Sequence, residues 1–399
     1  MVESAIATVT NGAVDNGTTG YFVSARDIIS FIPPFNIKSG GILALWSFIV
    51  FIGLQWWAGG EGGGFLAQRL FSCKNEKHSV AAMLWFNLAN YALRPWPWII
   101  VGVASISMIP RISEYGANFS QEHAFTIMLM KYLPAGLKGL MVASLMAAYM
   151  STVSTHVNFG ASYLINDLYK RFIVRKATQK HYVSVSQISI IFLAALAGYF
   201  AYRQNNIAAG WISFFELMSG TGFVVLLRWY WWRINPWSEI SAMVSSLLIW
   251  TILNKLAFFG AGDPEMFEKM YAVRFTINLF VSTIIWITVT LLTKPVDEKH
   301  LIAFYKRVRP AGFWGPIAIK AGNPNHLHVG IPEWIAWVTG VLALFAMIFS
   351  LGKLCFGLYK PALWYGIFAA IMTTIMFKML TLMDWSGMPD FASDEPDEE

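Results

Sequence analysis

Long apolar stretches recur along the chain from Gly41 onward, separated by short polar segments. Most have the roughly 18 or more residues that a helix needs to cross a ~30 Å hydrocarbon core. Nine spans are expected, at 41–58, 79–109, 135–165, 183–202, 206–227, 237–254, 272–293, 331–352 and 361–383. The second and third exceed a single crossing and have room to tilt or kink. The fold class predicted is therefore all-α, a polytopic transmembrane helical bundle. Around the spans, residues 1–40 are rich in Gly, Asn, Thr and Ser before Pro33-Pro34 and read as an external loop or disordered arm. Residues 41–293 hold seven spans, 294–330 form the longest loop, 331–383 hold two C-terminal helices, and 384–399 make an acidic tail.

Composition sharpens this picture. Of 399 residues, 56% are hydrophobic and only 13% charged, about half the charged share of an ordinary soluble domain. The net charge of +6 does not point to nucleic acid, because the basic residues sit in short loops rather than on a stripe. They order the topology instead. Sixteen of the 29 Lys and Arg fall in one set of alternate loops, among them Lys180 and the basic residues of 294–330, and eleven in the other set, in which Arg274 is counted. Loops rich in Lys and Arg stay in the cytoplasm. The N-terminus is thus expected outside and the tail inside, in a multi-pass protein of the cell (inner) membrane.

Ionisable and helix-breaking residues at membrane depth need partners or a water-filled cavity, which makes them the informative positions. In Gln55-Trp56-Trp57-Ala58-Gly59-Gly60-Glu61-Gly62-Gly63-Gly64, the glycines either break a helix at depth, as transporters do to expose backbone groups, or simply end the span. Gln55, Trp56, Trp57 and Glu61 are candidates for gate or solute contacts, with interface anchoring the other reading of the tryptophans. Arg94-Pro95-Trp96-Pro97-Trp98 predicts a kink, because two prolines remove helix hydrogen bonds. Arg94 is a candidate to bind an anionic group or to pair with an acid such as Glu216, which lies in the fifth span beside Ser219-Gly220-Thr221-Gly222. Those small residues suit either a site or close helix packing.

In the third span, Ala148, Ser151 and Thr152 fall at i, i+3 and i+4 of one helix face, so a carbonyl and two hydroxyls can converge. Such neutral oxygens suit a hard cation like sodium. The alternative is hydroxyls bonding back to the preceding turn. Cys73 and Cys355 show no disulfide or zinc spacing. His326-Leu327-His328 in the longest loop has no third ligand nearby and reads as solvated. The seven histidines are scattered, which argues against a membrane enzyme.

The segment from Leu145 to Phe172, with Ala148, Ser151-Thr152, Asn158 and Asn166-Asp167-Leu168-Tyr169-Lys170, resembles the sodium-site helix of the sodium:solute symporter family. The glycine-rich stretch ending in Gln68-Arg69 resembles the first helix of that family's second repeat. Arg94-Pro95-Trp96-Pro97-Trp98 and Arg228-Trp229-Tyr230-Trp231-Trp232-Arg233-Ile234-Asn235 resemble signatures of a bacterial subgroup. The likeness runs from about residue 40 to 383. It implies sodium bound by the Ala148 carbonyl and the Ser151 and Thr152 hydroxyls, a gate aromatic near Trp56 or Trp57, and Glu216 on a helix that approaches solute.

The resemblance further implies two inverted five-helix repeats with ion and solute between them, of which this chain carries the second repeat and the helices after it. The expectation is sodium-coupled symport of a small polar solute by alternating access, with Na+ as the coupling ion and no enzymatic chemistry. The partners implied are that solute, membrane lipid, no nucleic acid, and a missing N-terminal half. The rival expectation is a transport-inactive sensor or accessory subunit built on a transporter-like core.

Overall fold

A computed structural model describes residues 43, 45–55, 64–108, 123–203, 207–323 and 331–382. Among them are many helices, one isolated β-bridge and no strand. In chain order the helices are α1 (Leu45–Leu54), α2 (Gly64–Phe71), α3 (Glu76–Asn87), α4 (Trp96–Met108), α5 (Ala124–Tyr132), α6 (Ala135–Ile173), α7 (Gln179–Arg203), α8 (Ile207–Leu227), α9 (Pro236–Leu253), α10 (Pro264–Lys269), α11 (Tyr271–Leu292), α12 (Glu298–Val308), α13 (Gly315–Lys320), α14 (Ile331–Cys355) and α15 (Tyr359–Leu382). Seven of the described helices, α6–α9, α11, α14 and α15, are long and apolar enough to cross a membrane. The protein is a multi-pass membrane protein with an all-α fold.

Two of the nine expected spans are not single long helices. The first is represented by α1, which is short and ends in a π-helical turn, Val50–Leu54. The second is divided. After α3 a π-helical turn, Leu88–Leu93, leads into a break at Arg94-Pro95, and α4 begins at Trp96. The expected kink is therefore present. Pro97 sits in the first turn of α4, where a missing N–H costs no helix bond. The third span runs longer than expected, because the polar residues after Leu164 continue the helix in π geometry to Ile173.

The chain divides into two compact units, one of residues 1–103 with 212–399 and one of 104–211. In the smaller unit, Pro134 in extended geometry caps α6, which then turns back into α7. Tyr169 and His181 close that turn, with hydroxyl and ring nitrogen 2.9 Å apart and the rings stacked. Lys170 donates to Asn166 and lies over the Tyr182 ring, while the Tyr182 hydroxyl donates to the carbonyl of Val174. Asn166-Asp167-Leu168-Tyr169-Lys170 is thus a clasp for the helical hairpin. Higher up, a side chain on Gly160 would meet Leu193 at 2.9 Å, so the two helices approach closely there.

In the larger unit, α8, α9 and α11 pack through small residues. A Cβ at Gly220 would lie 2.6–2.7 Å from atoms of Ser246 and Ser282, so the small run beside Glu216 does serve close packing. The aromatic turn 228–235 is clipped to the end of α11. Arg233 donates to the carbonyls of Leu291 and Thr293, and Asn235 caps α9 while donating to the Thr293 hydroxyl. The segment expected as a loop after residue 293 is largely helical. Asp297 caps α12, and α12 and α13 bury Leu301, Tyr305, Trp314 and Ile317 against Trp232. Trp314 donates to the Trp229 carbonyl and the Phe313 N–H to that of Tyr230. The aromatic signature is therefore the seat of this segment. His326 and His328 lie outside the described residues.

Candidate functional site

The sodium candidates lie mid-helix on α6. Ala148, Ser151 and Thr152 are exposed within their own unit, on a helix with no break at this point. The Thr152 hydroxyl donates to the carbonyl of Ala148 at 3.0 Å, and Thr155 does the same to the carbonyl of Ser151 at 2.8 Å. The back-bonded alternative is thus realised for Thr152. It also joins two of the three candidates. A hydroxyl that has given its proton to a carbonyl still holds oxygen lone pairs, and they are free to meet a cation. The Ala148 carbonyl is more committed, since it also accepts the helical N–H four residues on. Ser154 differs in kind, because it accepts from the Asn158 amide.

The solute-side candidates lie in the larger unit, and they part company. Trp56, Trp57 and Glu61 lie outside the described residues. Arg94 is exposed and donates to Asn90, one turn back, at 2.7 Å. It does not pair with Glu216. The physical reason is that Glu216 is buried beside a different cation. The Arg274 guanidinium stands 2.7 Å from the carboxylate, with each side chain only 1% exposed, and its Nε donates to the same oxygen at 2.8 Å. Arg274 also donates to the carbonyls of Phe259 and Phe267 and stacks 3.7 Å from the Phe267 ring centroid. Asn278, one turn further along α11, donates to the Glu216 carbonyl and to Ser246.

Gln55 shares this neighbourhood. The Tyr271 hydroxyl donates to its side-chain oxygen at 3.1 Å, and Tyr271 stands three residues before Arg274 in the first turn of α11. The structure therefore ties Gln55 and Glu216 to one helical turn. Arg274, counted by its sequence position among the outer loop charges, lies within α11 and is buried. A signal was present. Arg274, Asn278 and Ser282 recur every four residues, a polar stripe inside an apolar run.

Comparison with known proteins gives this geometry a context. The profile of the sodium:solute symporter family matches residues 35–249. The high-affinity proline transporter PutP of Bacillus subtilis (strain 168) is 30% identical over 117 residues, covering 28% of this chain and 25% of that protein. Sodium/glucose cotransporter 4 of Danio rerio is 25% identical over 267 residues, 59% of this chain and 40% of that protein. The sodium/proline symporter of Escherichia coli (strain K12) is 23% identical over 241 residues, 59% of this chain and 47% of that protein. The chain thus spans less than half the length of these relatives. No solved structure matches.

Proposed function

Since this chain belongs to the sodium:solute symporter family, whose members are transporters rather than enzymes, we propose that it serves sodium-coupled symport of a small polar solute. The observation that carries the reading is the exposed oxygen face of Ala148, Ser151 and Thr152, set mid-helix in α6 and inside the family match. Sodium bound there would meet neutral hydroxyl oxygens, the ligand type a hard cation takes. Thr152 already directs its proton away, onto Ala148. Sodium running down its gradient then drives the solute through alternating access, in which one group of helices rocks against another around a midplane site.

On the solute side, Gln55 is held by Tyr271 at the entrance to the glycine-rich stretch that carries Trp56, Trp57 and Glu61. The names of the relatives suggest proline or a sugar as the solute. Membrane lipid is the remaining partner, and an N-terminal half related to the first repeat would supply the second wall of the site. The test is uptake of labelled proline and glucose into liposomes holding the purified chain joined to such an N-terminal half, with and without an inward sodium gradient. Sodium-dependent accumulation of either is the expected result. Uptake that is the same in sodium, potassium and choline would overturn the reading.

A further inference from the structure

A cavity of about 720 Å³ lies between α3, α14 and α15, away from the residues discussed so far. Its walls are apolar, among them Ala81, Leu84, Val341, Met347 and Phe377. At one end stands Glu333, in the first turn of α14. Its Oε2 is buried and has no hydrogen-bond partner among the described residues. An acid in a helix's first turn is favoured by the dipole, but an exposed acid would serve that purpose without burying an unpaired oxygen, which costs free energy wherever no donor reaches it. Of the other polar wall residues, Asn87 and Thr373, Asn87 donates to the Met83 carbonyl at 2.8 Å, and neither carries a charge.

Length and chemistry together select an occupant. From Glu333 to Met347 the cavity follows α14 for about 21 Å, at 1.5 Å per residue. That exceeds the ~15 Å depth of one leaflet, half of a ~30 Å core. That length suits an acyl chain lying along a helix. Glu333 marks the end nearest the 294–330 segment, the side that the Lys and Arg bias assigns to the cytoplasm. An ionised Glu333 is satisfied most strongly by a group that is cationic and offers an N–H. A primary ammonium does both, a choline headgroup has no N–H, and a glycerol headgroup adds negative charge. We propose that this cavity binds an aminophospholipid of the inner leaflet, its acyl chain along the apolar walls and its ammonium on Glu333.

The proposal predicts a headgroup preference in the purified full chain. Delipidated protein would be titrated with phosphatidylethanolamine, phosphatidylcholine and phosphatidylglycerol of equal chain length, and bound lipid counted by native mass spectrometry. Phosphatidylethanolamine should bind about tenfold or more tightly than the other two, the scale of a hydrogen bond to a charged group. Glu333→Gln should bring it to the level of phosphatidylcholine. Ala81→Trp, which places an indole in the cavity, should weaken all three, with helical circular dichroism unchanged. Equal binding of the three lipids by the native chain, or an undiminished preference in Glu333→Gln, would overturn the assignment.

Discussion

The guanidinium of Arg274 stands 2.7 Å from the carboxylate of Glu216, between α11 and α8, with both side chains shielded from solvent. A buried pair of this kind gains little over well-packed apolar residues, yet removal of one partner strands the other. Glu216→Ala or Arg274→Ala should therefore cost about 3–5 kcal/mol of unfolding free energy. The double change Glu216→Leu with Arg274→Met should recover most of that loss. Chemical denaturation in detergent, read by tryptophan fluorescence, gives the comparison. A double variant as unstable as the sum of the single ones would show that the pair is not acting as a unit.

Arg274 has a second task that this rescue should not restore. Its Nη1 holds the carbonyls of Phe259 and Phe267, fastening the segment between α9 and α11 to the first turn of α11. Methionine has no donor to replace those bonds. Amide hydrogen exchange around Gly260 to Met270 should rise in the double variant even as global stability returns. Unchanged protection there would mean that other bonds, such as those at Gly260 and Met270, hold the segment alone.

Glycine substitutions should separate packing from helix propensity. At Gly220 an added Cβ would meet the Cβ atoms of Ser246 and Ser282 at 2.7 Å, and neither can rotate away. Gly220→Ala should destabilise by about 1–3 kcal/mol, the range for overpacking. At Gly198, on α7, a Cβ meets nothing within 4 Å. Gly198→Ala should leave stability the same or raise it by about 0.5–1 kcal/mol. A shift of melting temperature in the same direction for both would remove the close-approach account of α8, α9 and α11.

What the sequence revealed depended on range. Span positions followed from apolar length, a local property, so most of the long helices could be read directly. The break at Arg94-Pro95 followed from proline's missing N–H. The partner of Glu216 did not, because Arg274 lies 58 residues away at a span boundary, where loop and helix readings carry equal weight. The helical segment after residue 293 was also missed. Its apolar face is covered by Trp232 and its neighbours, so in sequence it presents itself as a basic loop.

Arg274, buried within α11, is not an outer loop charge, which leaves sixteen Lys and Arg against ten and the expected orientation unchanged. With Cys73 and Cys355 replaced by serine, cysteines at Lys180 and Asp263 should label differently in intact cells. An impermeant maleimide should reach position 263 from outside and position 180 only after the membrane is opened. Strong external labelling at position 180 would reverse the map.

The face on α6 can be tested without relying on transport. Any ion that binds only the folded protein stabilises it by mass action, so with the N-terminal half supplied, sodium, and not potassium, should raise the melting temperature in a concentration-dependent way. Ser151→Ala removes one hydroxyl ligand. Thr152→Val removes the other while keeping the side-chain shape, and it also frees the Ala148 carbonyl from the bond recorded at 3.0 Å. A hydrogen bond or ligand contact to a charged group is worth about 1.5–3 kcal/mol, so each change should weaken sodium roughly 10- to 150-fold. Thr152→Ser keeps the hydroxyl and should retain sodium binding, which separates ligation from the threonine methyl's packing. Ser154→Ala, whose hydroxyl accepts from Asn158, should have little effect on sodium. Loss of stability without loss of sodium response in Ser151→Ala and Thr152→Val would make these hydroxyls helix-bonding groups alone. Loss of the sodium response with a native melting temperature in potassium would place the ion on this face.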